Sequence, residues 1–324
     1  MTTNAVFEFF SQHSSLIFTT HDTADADGLG AEMVLYCIAQ SMGKQVRIIN
    51  SSPIPANFRF MDPNEIIETW DEKPDSIPRG TALVIVDTTD EYYIGKLREF
   101  IPHAAEVFVI DHHEPNQFCT FQGYIDPTAS STSEMAVELA EAARVHVAGE
   151  YAAAAYAGIV YDTGFFAYPK TTSRTFRAAM TLTEAGINPN KIYRELNENS
   201  STGALILMKT ILSTLEIHNR GRVAVQILRK EDLEKCAANF EDAENFINIP
   251  MKSKEIEVSI FIKENTEGQI RCSLRSKGTV NVSKIAQTMG GGGHTTAAGF
   301  KSSQSLPETL AEILSKVSEK LDEE

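Results

Sequence analysis

At four places in this chain, ionisable side chains gather where an apolar run gives out. His21-Asp-Thr-Ala-Asp25-Ala-Asp27 follows Leu16 to Thr20, and Asp87 closes Ala82 to Asp87. Asp111-His112-His113 ends Val107 to Asp111, and Asp162 ends Gly158-Ile-Val-Tyr. With Val46 to Asn50, these β-branched runs alternate with helix-period stretches at Gly30 to Met42 and from Thr132 to about Val147, the latter with a hydroxyl N-cap among Ser130 to Ser133. The alternation predicts an α/β fold, a doubly wound parallel sheet with crossover helices. In such a sheet, residues just past the carboxyl ends of the strands meet in one crevice. The four places are therefore expected at four strand ends on one rim.

The chain has 324 residues, enough for about two domains. Helices are expected from Tyr151 towards Asp162 and from about Ser173 to Ala185. The polar stretch Asn197 to Gly203 marks a junction. An N-terminal domain is expected over 1–195, a linker with a connecting helix (Ala204 to Glu216) over 196–220, and a smaller α+β domain over 221–324. In that second domain, strands are expected at Arg222 to Leu228, Ile256 to Lys263 and Gln269 to Arg275, with helices near Ser283 to Met289 and Leu306 to Leu321. Hydrophobic residues make up 42% of the chain, which excludes disorder as the main state. The net charge of −15 disfavours long duplex nucleic acid as a partner. No run of ~20 apolar residues predicts a membrane span, so a soluble cytoplasmic protein without a membrane partner is expected. Cys37, Cys119, Cys236 and Cys272 form no CxxC pair and read as buried or incidental thiols.

Singly, an Asp after a strand is most often a cap or turn residue. Jointly, carboxylates this close repel one another unless a cation lies among them. Carboxylate mixed with imidazole, and no thiolate, suits Mn²⁺, with Mg²⁺ or Co²⁺ as alternatives, and suits calcium poorly.

HDTADADG, VIVDTTD, VIDHHEPN and VYDTG resemble, in order and approximate spacing, the four motifs of the DHH phosphoesterase superfamily. SLRSKGTVNVSKIAQTMGGGGHTTAAGF is similar to that superfamily's DHHA1 substrate-binding module. The pair resembles the nanoRNases, which degrade very short oligoribonucleotides and remove the 3′-phosphate of 3′-phosphoadenosine 5′-phosphate. The resemblance implies two divalent ions, one held by His21, Asp25 and Asp87 and the other by Asp27, Asp87, His112 and Asp162, with Asp87 shared. Such a pair can lower the pKa of a bridging water to yield the attacking hydroxide. Asp111 would hold a histidine ring or backbone. His113 would face the substrate, either as a donor to a phosphoryl oxygen or as an acid for the leaving group. The family often has proline where Ala24 stands, a difference of loop stiffness. Asp22 reads as a solvated or supporting group.

Gly290-Gly-Gly-Gly-His294 follows a predicted helix and lacks a Lys-Ser/Thr ending, so it is not a P-loop. It reads either as a hinge or as a cradle where backbone N–H groups approach phosphate, and its flanks favour the cradle. Over 251–294, Lys and Arg outnumber Glu seven to four in an otherwise acidic chain. The DHHA1 resemblance implies that Arg275, His294, Gly290, Gly291, Gly292 and Gly293 hold the terminal nucleotide, helped by Ser273 or Asn281, with the active site in an interdomain cleft. Ser131 is weighed evenly between helix capping and a phosphate contact. Phe166 and Tyr168 are read as packing residues ahead of base-stacking ones.

The expected activity is two-metal hydrolysis of short oligoribonucleotides to 5′-mononucleotides, with 3′-phosphate removal from the nucleotide bisphosphate. The alternatives are a phosphodiesterase for cyclic di-AMP or linear pApA and a non-catalytic nucleotide sensor, which would have lost part of the ligand set. Oligomeric state, a homodimer included, stays open.

Overall fold

The computed structural model describes residues 3–71, 76–114, 120–265 and 267–322. The chain divides into two compact units, Met1–Asn199 and Ser200–Glu324.

Unit 1 runs α1 (Thr3–Gln12), β1 (Ser15–Thr19), α2 (Ala26–Ser41), β2 (Gln45–Asn50), β3 (Ile67–Thr69), β4 (Thr81–Val86), β5 (Val107–Asp111) and β6 (Gln122–Ile125). It continues with α3 (Thr132–Ala143), α4 (Gly149–Asp162), α5 (Ser173–Glu184) and α6 (Pro189–Asn197). The strands form one parallel sheet in the order β3-β2-β1-β4-β5-β6. Alternate residues of each strand serve opposite faces. Leu16, Phe18, Val84 and Ile110 pack under α2, α3 and α4, while Ile17, Leu83, Ile85 and Val109 meet Ile94, Leu97 and Phe100 of the helical turns at Glu91–His103. Near-continuous apolar strands are the consequence of covering both faces.

Helix α2 starts at Ala26, earlier than the predicted Gly30, because Asp25 caps it. Gly30 of α2 and Gly158 of α4 serve the crossing of these two helices. A Cβ at Gly30 would lie 2.6 Å from the Ala154 carbonyl oxygen, and one at Gly158 would lie 2.8 Å from that of Ala26. Helix α3 stops at Ala143, short of the predicted Val147, where Arg144 turns left-handed at φ 56°. β3 and β6 are only three and four residues long, too short for periodicity to reveal them. Asp162 is the last residue of α4, so the expectation of four strand ends is corrected: three strands and one helix terminus supply the rim.

Unit 2 comprises α7 (Thr202–Leu212), β7 (Glu216–His218), β8 (Val223–Leu228), α8 (Lys230–Cys236), β9 (Val258–Glu264), β10 (Ile270–Ser276), α9 (Val282–Thr288), β11 (Gly292–His294), β12 (Ala297–Ser302) and α10 (Leu306–Asp322). Glu216, expected at the end of a helix, opens a strand instead. The sheet order is β11-β12-β10-β9-β8-β7, with only β8–β9 parallel among these described pairs. One face packs Val225, Ile260, Cys272 and Leu274 with Ile285 and Ile313. The other packs Leu228 and Phe261 with Leu207, Ile211 and Phe246. Cys236 and Cys272 are buried and Cys37 is half-buried; Cys119 lies outside the described residues.

Candidate metal centre

The loop after β1, the residue after β4, the end of β5 and the end of α4 converge. Ligand-type atoms of His21, Asp25 and Asp87 lie within 4.8 Å of one another, as do those of Asp27, His112 and Asp162, and those of Asp87, His112 and His113. Asp87 and His112 each belong to two of the triads. His21 Nε2 stands 3.7 Å from Asp25 Oδ1 and 3.8 Å from Asp87 Oδ2.

Local structure aims each side chain. Asp25 Oδ1 accepts from the backbone N–H groups of Asp27 (2.9 Å) and Gly28 (3.2 Å). Asp27 rests on the N-terminus of α3, its two oxygens accepting from Thr132 N at 2.7 Å and Ser133 N at 2.8 Å. Those amides and the helix dipole stabilise its charge. Asp87 follows β4 at φ 64°, a left-handed conformation uncommon outside glycine. The Thr132 hydroxyl donates to its Oδ1 at 2.8 Å. Asp111 is fully buried and its Oδ1 bonds both the backbone N–H (3.0 Å) and the ring Nδ1 (2.8 Å) of His113. This ring bond makes Nδ1 a donor and fixes the ring's orientation.

Electrostatics register the crowding. Burial, followed by the fields of Asp27, Asp25, Asp111 and Asp162, pushes the Asp87 carboxyl well above its usual range. Burial, then Asp27 and Asp25, raises Asp162 to about 8. Burial opposes charge on His21, but the hydrogen bond and field of Asp25 prevail and raise it to about 9. Burial lowers His112 despite nearby carboxylates. On His113, burial is outweighed by the Asp111 hydrogen bond and charge, which raise it.

The side chains fit a divalent cation. His112 Nδ1 faces the Ala129 carbonyl oxygen at 3.4 Å, the outer partner that orients a ligating imidazole. Its Nε2 is buried and has no hydrogen-bond partner among the described residues, although it lies 3.3 Å from Asp162 Oδ2 and 3.7 Å from both Asp27 Oδ2 and Asp87 Oδ1. A nitrogen facing three carboxylates and bonded to none is the arrangement that a cation completes, since an unpaired buried polar atom is costly.

The other candidates have separate places. Ser131 is fully buried and caps α3, accepting from Glu134 N at 2.9 Å. Asn281 caps α9 in the same way, accepting from Lys284 N at 3.1 Å. Ser273 and Arg275 occupy one face of β10, opposite Phe261 and Ser259 of β9. Gly292, Gly293 and His294 form edge strand β11, paired with Gly299, Ala298 and Ala297. Gly290 and Gly291 lead into it. At Gly293 (φ 134°) a Cβ would lie 2.5 Å from the Ala297 carbonyl oxygen, so tight hairpin packing accounts for glycine there. Phe166 stacks on Phe176 at 5.2 Å, the packing role expected of it, while Tyr168 is exposed.

Two residues at the centre were not singled out from the sequence. Thr132 was grouped with hydroxyl caps, yet it bonds Asp87. Lys170, whose Nζ approaches the His112 carbonyl oxygen at 3.4 Å, lies in a turn with no periodic signal.

Residues 15–159 match the DHH family, N-terminal domain, and residues 221–323 match the DHHA1 domain. The chain therefore carries a DHH domain followed by a DHHA1 domain, and its class is that of metal-dependent phosphoesterases. It is similar to the bifunctional oligoribonuclease and PAP phosphatase of Thermus thermophilus, 28% identical over 307 residues that cover 94% of this chain and 90% of that one. It is also similar to the cyclic-di-AMP phosphodiesterase of Geobacillus thermodenitrificans, 27% identical over 91% of this chain and 46% of that one. The crystal structure of an exopolyphosphatase-related protein from Bacteroides fragilis superposes with a TM-score of 0.90 at 26% identity, covering 98% of this chain and 95% of the other. Among the described residues, no helix is long and apolar enough to cross a membrane.

Proposed function

We propose that the chain hydrolyses very short oligoribonucleotides to 5′-mononucleotides and removes the 3′-phosphate of 3′-phosphoadenosine 5′-phosphate. The observation that carries this reading is the acidic–imidazole constellation in which Asp87 and His112 are shared between neighbouring triads. The similar relatives from Thermus thermophilus, Streptococcus mutans and Bacillus subtilis, all named for those two activities, support the substrate class.

In this reading His21, Asp25 and Asp87 hold one divalent ion, and Asp27, Asp87, His112 and Asp162 hold a second, with Mn²⁺ the preferred metal. When bound, such ions supply Lewis acidity that activates water and offsets charge on the phosphate. The chain's own part is positioning and proton handling. Asp25 and Asp27 are locked by backbone amides, so their oxygens keep their aim without reorganisation. Asp111 fixes the His113 ring, whose Nε2 presents a proton to a phosphoryl or leaving oxygen. Arg275, Ser273, Asn281, His294 and the 290–293 backbone are proposed to hold the terminal nucleotide, and the Lys170 cation to lie near the phosphate.

The relatives named cyclic-di-AMP phosphodiesterases supply a second reading on the same site. Purified protein with Mn²⁺ is assayed against pApA, a pentanucleotide, the nucleotide bisphosphate and cyclic di-AMP. AMP release from the first three supports the proposal. Cleavage of the cyclic dinucleotide alone favours the second reading, and no hydrolysis of any substrate defeats both.

A further inference from the structure

The carboxyl-end rim of the first sheet extends beyond the Asp87 cluster. A cavity of about 600 Å³ opens there, with Asp22, Ser51, Ser52, Trp70, Lys96 and Arg98 in its wall, and Glu99 the other acid. Ser51 and Ser52 follow β2, and Trp70 follows β3. In the strand order β3-β2-β1-β4-β5-β6, the cluster lies past β1, β4 and β5, and the cavity lies next along the same rim. Asp22 adjoins His21, so the cavity borders the first ligand loop.

Its walls are fixed and its charge is unevenly used. Asp22 N donates to the Tyr93 carbonyl oxygen at 2.5 Å, and Lys96 N donates to Ser51 Oγ at 2.6 Å. The Ser52 hydroxyl donates to the Asp22 carboxylate and partly satisfies it. No carboxylate among the described residues pairs with the exposed Lys96 ammonium. The Arg98 guanidinium lies 4.5 Å from the centre of the Tyr92 ring, itself 69% exposed, forming a flat cationic shelf. The cations and hydroxyls of the wall, with the Tyr92 ring stacked beside it on the wall residue Arg98, match a nucleoside phosphate.

We propose that this cavity takes a nucleotide of the RNA chain beyond the phosphodiester being cut. Lys96 and Arg98 contact its phosphate, and its base lies on the Tyr92–Arg98 shelf. The proposal rests on the oligoribonuclease reading and deepens it, because a nucleotide bisphosphate has no further residue to reach the cavity.

The test is the Lys96→Ala/Arg98→Ala double variant of the full chain, both side chains being exposed, assayed with Mn²⁺ on a pentanucleotide and on the bisphosphate. The ratio of pentanucleotide KM to bisphosphate KM should rise roughly five-fold or more, the scale of lost exposed ionic contacts. An unchanged ratio overturns the proposal. Trp70 is the single tryptophan of the chain and lines the cavity, so it reports binding directly. In EDTA, the pentanucleotide should alter its fluorescence in the parent chain and require higher concentration in the variant. If the chain hydrolyses no RNA, the oligoribonuclease reading fails, and this titration still decides the cavity: no fluorescence response, or an identical one in the variant, overturns the assignment.

Discussion

The Thr132 hydroxyl donates to Asp87 Oδ1 at 2.8 Å, while the backbone N–H of the same threonine donates to Asp27 Oδ2 at 2.7 Å. One residue at the first turn of α3 thus sets two of the proposed ligands. Thr132→Ala should reduce hydrolysis or Mn²⁺ affinity roughly 10- to 100-fold, the usual cost of losing an outer partner of a ligand. Thr132→Ser, which keeps the hydroxyl, should retain most activity; a Mn²⁺ activation titration of both variants checks this.

Asp87 is buried among like charges in a left-handed backbone conformation, so function and stability oppose each other there. Asp87→Asn should cost at least roughly a thousand-fold in turnover, as several kcal/mol of charge stabilisation are lost. The same substitution removes repulsion and places a residue tolerant of positive φ, so the metal-free protein should melt at a higher temperature. Calorimetry in EDTA tests the second half independently of activity.

Metal-free stability should fall as pH rises. The folded state raises Asp162 from 3.8 to about 8, so between those values it binds a proton that the unfolded chain has lost. His21, raised from 6.5 to about 9, behaves likewise over its own interval. More protons bound in the folded state mean that stability declines with increasing pH. Melting temperature in EDTA should therefore drop between about pH 5.5 and 9 through these groups, and Mn²⁺ should restore it at the alkaline end.

Gly158 lets α4 approach both α2 and α3, and its ideal Cβ would meet Ser133 Oγ as well as the Ala26 carbonyl oxygen. Gly158→Ala should destabilise by about 1–3 kcal/mol through overpacking. Because Ser133 N holds Asp27 Oδ1, Mn²⁺ affinity should weaken together with stability. Chemical denaturation and metal titration on the same sample separate the two effects.

Much of the architecture was legible because the strands that build it are strongly patterned. Val84 and Ile85 serve opposite covered faces, which leaves an unbroken apolar run with Asp87 following it. The short β3 and β6 are invisible because three or four residues show no periodicity; pairing with β2 and β5 in the sheet holds Ile67–Thr69 and Gln122–Ile125 in place. Asp162 shares the pattern of an acid after an apolar run with the three strand ends, and that pattern does not tell strand from helix; contact with α2 keeps the β-branched Ile159 and Val160 helical in spite of propensity. The ionisable residues of the centre could be named because their chemistry is costly without a purpose. Thr132 could not, since a hydroxyl near a helix start has an ordinary duty, and only the fold brings Asp87 to it.

The groups around Asp87 are drawn from His21 through to Asp162, and no single hairpin or helix contains a complete triad. The triad of Asp27, His112 and Asp162 therefore completes only once α4 has left the ribosome. A product ending before α4 would keep His21, Asp25 and Asp87 yet lack the Asp162 carboxylate of the second proposed ion, so a half-made chain would carry a half-made centre.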